Sequence, residues 1–387
     1  MIGGAERMTE TPATGKTSMQ ARIITSAEEL LKLQEQWNDL LSRSEHRQPF
    51  STFEWSASWL EVFGHEVEIA TIVVSAQGKM VAIAPFCIRQ GKLLTFIGYP
   101  QNDYADIIFD SAYPESLDLI AETMLSMRGK WGKIILDQMR GENSAYAQFV
   151  DILTRRNAAF RIEPSDTCPA MLISDKAEAK KMYHKRNVTT YVNWFQKEGT
   201  FGFNRYTDTA EAMARLDDLF AQHVDRWDGT PTPSYFRFEP MKNFYRNFFR
   251  RMHPKGWVHF SSLSLNDSFV AIYVSFEYEK RLYLYKTCFN KEYYKKSPGQ
   301  VILRYLMDDA LQRDLVELDF ARGDEGYKDR YANTMRQNYR VIIYSSALAH
   351  KYASAMYAAR YSKLATLLFR NKTAKQFKTW LLTKVKG

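Results

Sequence analysis

Residues 257–287 place the tightest constraint on what this chain can become. Three runs with alternating apolar positions, 257–265, 269–277 and 281–287, are separated only by Asn266-Asp267-Ser268 and Glu279-Lys280. Period-two alternation gives each run one buried face, and connections this short join antiparallel neighbours. The chain must therefore hold an antiparallel three-stranded meander. A helix over 299–313 and a short apolar strand over 316–320 follow it. The meander thus belongs to a mixed α/β sheet.

The N-terminal half carries a similar order. A strand over 21–25 leads to a helix over 26–41, capped by Ser26 with Glu28 and Glu29 in its first turn. Pro49-Phe50-Ser51 breaks the chain before an aromatic helix, 53–63. Strands are expected over 67–75 and 79–88, joined by Ala76-Gln77-Gly78, then over 93–97 and 105–109. Helix 114–127, strand 133–137, helix 144–156 and strand 159–163 complete this half. A basic helix, 176–198, then restarts the pattern with strand 201–205, helix 209–227, a Pro-rich loop, 229–233, and helix 240–252. Both halves read strand, two helices, antiparallel strands, helix, strand. The expected organisation is a disordered leader over 1–20, units over 21–165 and 166–344, and a basic helical tail over 345–387.

Composition narrows the function classes. With 45% hydrophobic and 25% charged residues, a chain of 387 can bury a large core. No run approaches the roughly eighteen apolar residues of a spanning helix, and the polar start has no secretory h-region. Cys87, Cys168 and Cys288 are widely spaced, so neither a disulfide framework nor a zinc site is expected, and a reducing cytoplasm fits. The charge is uneven. Residues 330–387 hold twelve Lys and Arg and no acid, and taking these from the net +9 leaves −3 for the remainder. In the tail, Phe377, Trp380, Leu381 and Val385 share one side of a helical pattern with lysines elsewhere. That suits either an anionic membrane surface at the inner face or a packed terminal helix.

Two segments carry chemistry. Tyr294-Lys295-Lys296-Ser297-Pro298-Gly299-Gln300 joins a strand to a helix. Such a helix start can meet a pyrophosphate through backbone N–H groups and the helix dipole, or can be an ordinary cap. Leu318-Asp319-Phe320-Ala321-Arg322-Gly323-Asp324-Glu325-Gly326-Tyr327-Lys328 crowds charges beyond the carboxyl end of a strand, where α/β sheets place their sites. It can position an acceptor and relay a proton, or form a salt-bridged loop.

From about residue 180 to 331 the chain resembles the acetyltransferase branch of the GNAT superfamily grouped with cellulose-biosynthesis (CelD-like) proteins and related to FemAB. The resemblance rests on Tyr183-His184-Lys185-Arg186-Asn187, the His223–Trp227 segment, the Ser297-Pro298-Gly299 turn and the block from Arg322 to Lys328. In the N-terminal half, Pro49-Phe50-Ser51 and the run from Gly98 to Asp103-Tyr104-Ala105-Asp106 also match. The resemblance implies tandem GNAT-like domains and transfer of an acyl group from acetyl-CoA to an amine, often on sugars of surface polysaccharides, with no metal. It implies a donor site at Lys296, Ser297, Gly299 and Gln300. Asp324 would orient or deprotonate the acceptor, Lys328 would face the oxyanion or an acceptor phosphate, and Tyr285 would act as leaving-group acid. Asp103, Tyr104, His223, Trp227, Arg322 and Glu325 would surround the acceptor, a small molecule or glycan. Only Gly299 remains of the family's longer glycine loop, which keeps open an aminoacyl-tRNA donor of the FemAB type. A non-catalytic receptor for an anionic nucleotide is the third class. Cys288 has no evident His partner and reads as a buried strand thiol.

Overall fold

The structure is a computed structural model and describes residues 18–323, 326–351 and 355–356. Most of the expected leader, and the tail beyond these residues, lie outside it. The N-terminal half opens with β1 (Met19–Ile24), α1 (Ala27–Leu31), α2 (Gln34–Arg43) and α3 (Phe53–Phe63). Strands β2 (Glu68–Ile69), β3 (Thr71–Ala76), β4 (Lys79–Ala84), β5 (Phe86–Arg89), β6 (Leu93–Phe96) and β7 (Ile108–Phe109) follow. Then come α4 (Ser116–Ser126), β8 (Lys133–Arg140), α5 (Ser144–Arg155) and β9 (Phe160–Leu172). The second half runs through α6 (Lys176–Tyr183), α7 (Arg186–Glu198), β10 (Phe201–Tyr206), α8 (Thr209–Ala214), α9 (Leu216–Trp227) and α10 (Glu239–Met252). The meander is β11 (Val258–Leu265), β12 (Ser268–Tyr278) and β13 (Arg281–Phe289), followed by α11 (Pro298–Gln312), β14 (Glu317–Asp319) and β15 (Thr334–Tyr344).

Several expected elements divide. The long strands over 67–75 and 79–88 break at Ala70 and Pro85. Their inner parts pair in a four-stranded sheet, β1-β3-β4-β7, while β2 and β5 join a larger one. Three expected helices kink, between α1 and α2, at His184-Lys185 and at Arg215. The leader ends earlier than residue 20, because β1 starts at Met19 and pairs with β3. Among the described residues no helix is long and apolar enough to cross a membrane.

The larger sheet runs β10-β11-β12-β13-β14-β9-β15-β8-β6-β5-β2 across both halves. Two strands stitch it. β9 spans the expected boundary at 165, pairing with β14 through 170–172 and with β15 along the rest. β15, which the sequence reading did not foresee as a strand, lies between β9 and β8. The last described strand therefore completes the sheet of the first half. Its Val341 and Ile343 are fully buried in the same cluster as Ile134 and Leu136 of β8.

Each half contains a parallel strand pair that separates at one end. In the first half β6 and β8 pair through Leu93↔Lys133, Leu94↔Ile134 and Thr95↔Ile135. Beyond them residues 98–106 fill the opening, with Ala105 donating its N–H to the Gln138 carbonyl at 3.0 Å. Asp106 is buried there and accepts from the Ile107 N–H at 2.9 Å and Asn143 Nδ2 at 2.6 Å. Burial pushes its carboxyl up to about 7.

Ile343→Ala is expected to lower stability by about 2–5 kcal/mol, the range for emptying a buried aliphatic site. Because β15 ties both halves, urea unfolding followed by two probes, one in each half, should shift together; a loss confined to one half would contradict the stitching. For Asp106, folded above and unfolded near the ordinary carboxyl value of about 4, unfolding releases a proton between those values. Stability should then fall as pH rises from about 4 to 7 and level off above, by up to about 4 kcal/mol. Asp106→Asn should raise Tm at pH 8 and change it little at pH 4; equal shifts at both would refute this.

Candidate active site

The second parallel pair stays open. β13 and β14 pair only through Arg281↔Glu317, Leu282↔Leu318 and Tyr283↔Asp319, after which β13 runs on to Phe289 paired with β12 but no longer with β14. Here its register against β12 changes from Val274↔Lys286 to Ser275↔Leu284. Tyr285 is thereby the extra residue of a β-bulge, a feature that bends a strand and re-aims side chains. The Lys286 ammonium lies 5.6 Å from the Tyr285 ring centroid.

A cleft of about 470 Å³ occupies the opening. Thr287 and Phe289 of β13 form one wall, the start of α11 from Ser297 to Gln300 another, and Arg226 of α9 lines it too. Ser297 takes a left-handed conformation (φ 47°, ψ 53°) before Pro298, which turns the chain sharply from the preceding 3-10 segment into α11. Gln300 and Val301 both return their N–H groups to the Ser297 carbonyl, at 2.9 and 3.2 Å. A Cβ on Gly299 would stand 3.7 Å from Phe289 Cδ1, in ordinary contact and directed at the cleft wall.

The opposite side of the opening is closed by the N-terminal loop 98–106. Trp55 and Trp59 hold that loop through their indole N–H groups, bonded to Asn102 Oδ1 at 2.6 Å and Gln101 Oε1 at 3.0 Å. The Tyr285 hydroxyl donates to the Gln101 carbonyl at 3.3 Å. Arg322 Nε pairs with Asp103 Oδ1 at 2.8 Å, and its Nη2 donates to the Pro100 carbonyl at 2.8 Å. Lys328 is buried and donates to the Arg322 carbonyl at 2.8 Å. Ala321, between Asp319 and Arg322, has φ 55°, a left-handed turn that glycine adopts most readily.

These contacts sort the expected site residues. Ser297, Gly299 and Gln300 line the cleft, whereas the Lys296 ammonium sits 4.4 Å over the Trp194 ring and Lys295 lines the cleft in its place. Asp103, Arg322 and Tyr285 meet at the seam between the halves. Burial raises the Asp103 carboxyl, opposed by Arg322, Lys286 and Lys328. Burial, with Asp103 adding to it, also raises the Tyr285 hydroxyl. Tyr104, expected to face the acceptor, is instead fully buried: its hydroxyl donates to Asp319 Oδ1 at 2.6 Å and Arg140 lies 4.8 Å over its ring. His223 shares a hydrogen bond between Nδ1 and Ser234 Oγ at 2.8 Å. Burial, then Lys286 and Arg226, push it down to about 3, so its ring is neutral at pH 7. Trp227 lies beside it, with ring centroids 6.1 Å apart. Asp324 and Glu325 lie outside the described residues. Cys288 is fully buried against Leu219 and Gln222, and burial pushes its thiol up.

Sequence reasoning did not single out Arg226 or Lys286. The only signal for each was its neighbour, Trp227 and Tyr285.

Residues 183–329 match the family model of an acetyltransferase (GNAT) domain, a span that holds the bulge, the cleft and the Arg322 turn. The match lies within the second half, and the fold of the whole chain agrees with it. The whole fold is similar to that of FemX, with a TM-score of 0.55 and 11% identity over 82% of this chain and 96% of that one. It is also similar to the C-terminal domain of a protein described as a lysylphosphatidylglycerol synthetase from Agrobacterium fabrum (0.52, 11%, 86% and 97%). L-PGS from Bacillus licheniformis gives 0.50 and 12% over 83% and 95%. No curated protein matches the sequence. The architecture is thus a tandem GNAT-like α/β fold, with the open cleft in the second half.

Asp103→Ala should cost roughly 1–3 kcal/mol, because it leaves the half-buried Arg322 guanidinium unpaired. Adding Arg322→Met should recover part of that loss in urea denaturation. Strictly additive losses would mean that the two side chains do not act as a pair.

Proposed function

We propose that the protein transfers an acetyl or related acyl group from acyl-CoA to an amine on an amino sugar of a surface polysaccharide or its precursor. The observation that carries the donor half of this reading is the cleft at the opening between β13 and β14. It offers a helix start and the cations Arg226 and Lys295 at the mouth, with apolar walls from Phe289 and Leu303. Those are the surfaces that a phosphorylated nucleotide joined to a thin, mostly neutral arm requires. The amino-sugar acceptor is supported by the sequence resemblance to the polysaccharide-biosynthesis branch. A basic tail at an anionic membrane face would bring the enzyme to such precursors.

In this reading the amine enters from the Asp103 and His223 side and attacks the thioester carbonyl directly. The N–C bond forms as the C–S bond breaks, and the proton lost by the amine is balanced by one taken up by the thiolate. Lys286 faces the growing charge on the carbonyl oxygen. Tyr285 acts as a positioning residue, since its proton is already given to the Gln101 carbonyl. Lys328 supports the Arg322 turn through its backbone contact. Asp324 keeps its role in orienting the acceptor as part of the proposal.

The likeness to FemX, together with a first helical turn that has few available N–H groups, favours a second reading with an aminoacyl-tRNA donor. A calorimetric titration with acetyl-CoA separates the two. Wild type should bind at micromolar concentration, and Gly299→Trp, whose ring would fill the cleft beside Phe289, should weaken binding at least tenfold with unchanged circular dichroism. A folded wild type that ignores acetyl-CoA and other acyl-CoA thioesters, yet binds tRNA with strong salt dependence, would replace the first reading with the second.

A further inference from the structure

The first turn of α11 is poorly equipped to hold a pyrophosphate alone. Pro298 has no N–H, and those of Gln300 and Val301 are turned back to Ser297. Among the described residues only Gly299 in this turn has no backbone acceptor for its N–H. The opposite wall supplies what this turn lacks. Arg226 lies in the last turn of α9, where the helix carbonyls favour a cation. Its guanidinium carbon sits 3.9 Å from the Phe289 ring centroid, and Nη1 donates to the Thr287 carbonyl at 3.4 Å. Stacking on Phe289 fixes the fork over the cleft instead of leaving it free in solvent.

What is missing is an anion. Among the described residues no carboxylate pairs with Arg226: Asp225 is engaged by Lys291 at 3.1 Å and Asp228 by Arg237. Burial keeps the neighbouring Cys288 thiol protonated, and burial, the largest influence on Arg226, weakens its own hold on the proton. A half-buried guanidinium that pairs with no carboxylate among the described residues and lines a cleft is stabilised by an anion that enters.

We propose that Arg226 is the phosphate-recognising residue of the donor site, taking over across the cleft the charge recognition that the shortened glycine turn no longer supplies. This rests on the acyl-CoA reading above. The guanidinium engages a phosphoryl group of the nucleotide half of the donor, so it governs donor affinity and not the chemical step.

The test uses the full chain with Arg226→Met, which keeps the packing on Phe289 but removes the charge, and Arg226→Lys, which restores the charge without the fork. Binding of CoA, dephospho-CoA and pantetheine is followed by ligand-observed NMR, which reads weak as well as tight binding. Arg226→Met should weaken CoA about ten- to hundredfold, as loss of a charge-assisted pair does, with Arg226→Lys in between and pantetheine unaffected. If dephospho-CoA loses as much as CoA, the partner is the pyrophosphate; if it is insensitive, the partner is the ribose 3′-phosphate. Undiminished CoA binding by Arg226→Met, or an equal loss for pantetheine, overturns the proposal while leaving the donor reading in place. Wild type that binds none of the three overturns the donor reading, and this proposal with it.

Discussion

The structure turns on a carboxylate with no exposure to water, Asp319 at the end of β14. Taking such a group out of solvent costs several kcal/mol unless its oxygens are fully engaged. The partners come from distant parts of the chain. The Tyr104 hydroxyl reaches it from the N-terminal loop, the Ala321 N–H closes onto it at 2.8 Å, and Arg336 of β15 approaches to 3.4 Å. Arg140 of β8 is its strongest favourable charge, although burial still holds the carboxyl above its ordinary value. Satisfying one acid therefore fixes three things together: the contact between halves, the seat of β15 and the left-handed turn that ends β14. That turn aims Arg322 at Asp103.

The same contact explains why two similar halves have different fates. Both contain a parallel pair that separates. In the first, residues 98–106 occupy the opening and bury Tyr104 and Asp106, so no room is left for a donor. In the second, that very loop stops at the seam, and the cleft beyond Tyr285 stays open. The loop of one half meets the other through Gln101 on Tyr285 and Asp103 on Arg322, so residues far apart in sequence stand together at the seam.

Local rules made much of this legible. The meander, the Ser-Pro-Gly turn and the aromatic helix α3 follow from alternation, turn chemistry and capping within short windows, and each is observed close to its expected bounds. β15 was missed because its outward positions carry Arg336 and Arg340, which serve Glu317, Asp319 and Asp137 from other strands; read alone, they look like part of a basic tail. The split of the early strands between two sheets hinges on Ala70 and Pro85, which only the packed structure explains. Tyr104 was expected near the acceptor together with Asp103, from the run that carries the family resemblance, and of the two only Asp103 reaches the seam. Successive residues point opposite ways, and Tyr104 points inward. Arg226 was unreadable for a different reason: an arginine at a helix end is ordinary until one sees that its neighbours Asp225 and Asp228 are paired with Lys291 and Arg237 instead.

His223 shows what field an acceptor would meet. Its imidazole is pushed down to about 3, first by burial and then by Lys286 and Arg226. From an ordinary value near 6.5, that is several kcal/mol against a positive charge at this place, at about 1.4 kcal/mol per pH unit. In the proposed reaction, an amine brought beside His223 would meet the same neighbouring cation Lys286, which disfavours its protonated form. Nucleophilic attack requires the neutral amine, so the environment itself favours the reactive form before any base acts. In the proposed transfer Lys286, which disfavours an ammonium here, is also the cation that would favour an oxyanion. Arg226 would help a thiolate at Cys288, but burial against Leu219 and Gln222 outweighs it and keeps that thiol protonated. In the proposed transfer, burial therefore leaves Cys288 poorly suited to act as a covalent carrier.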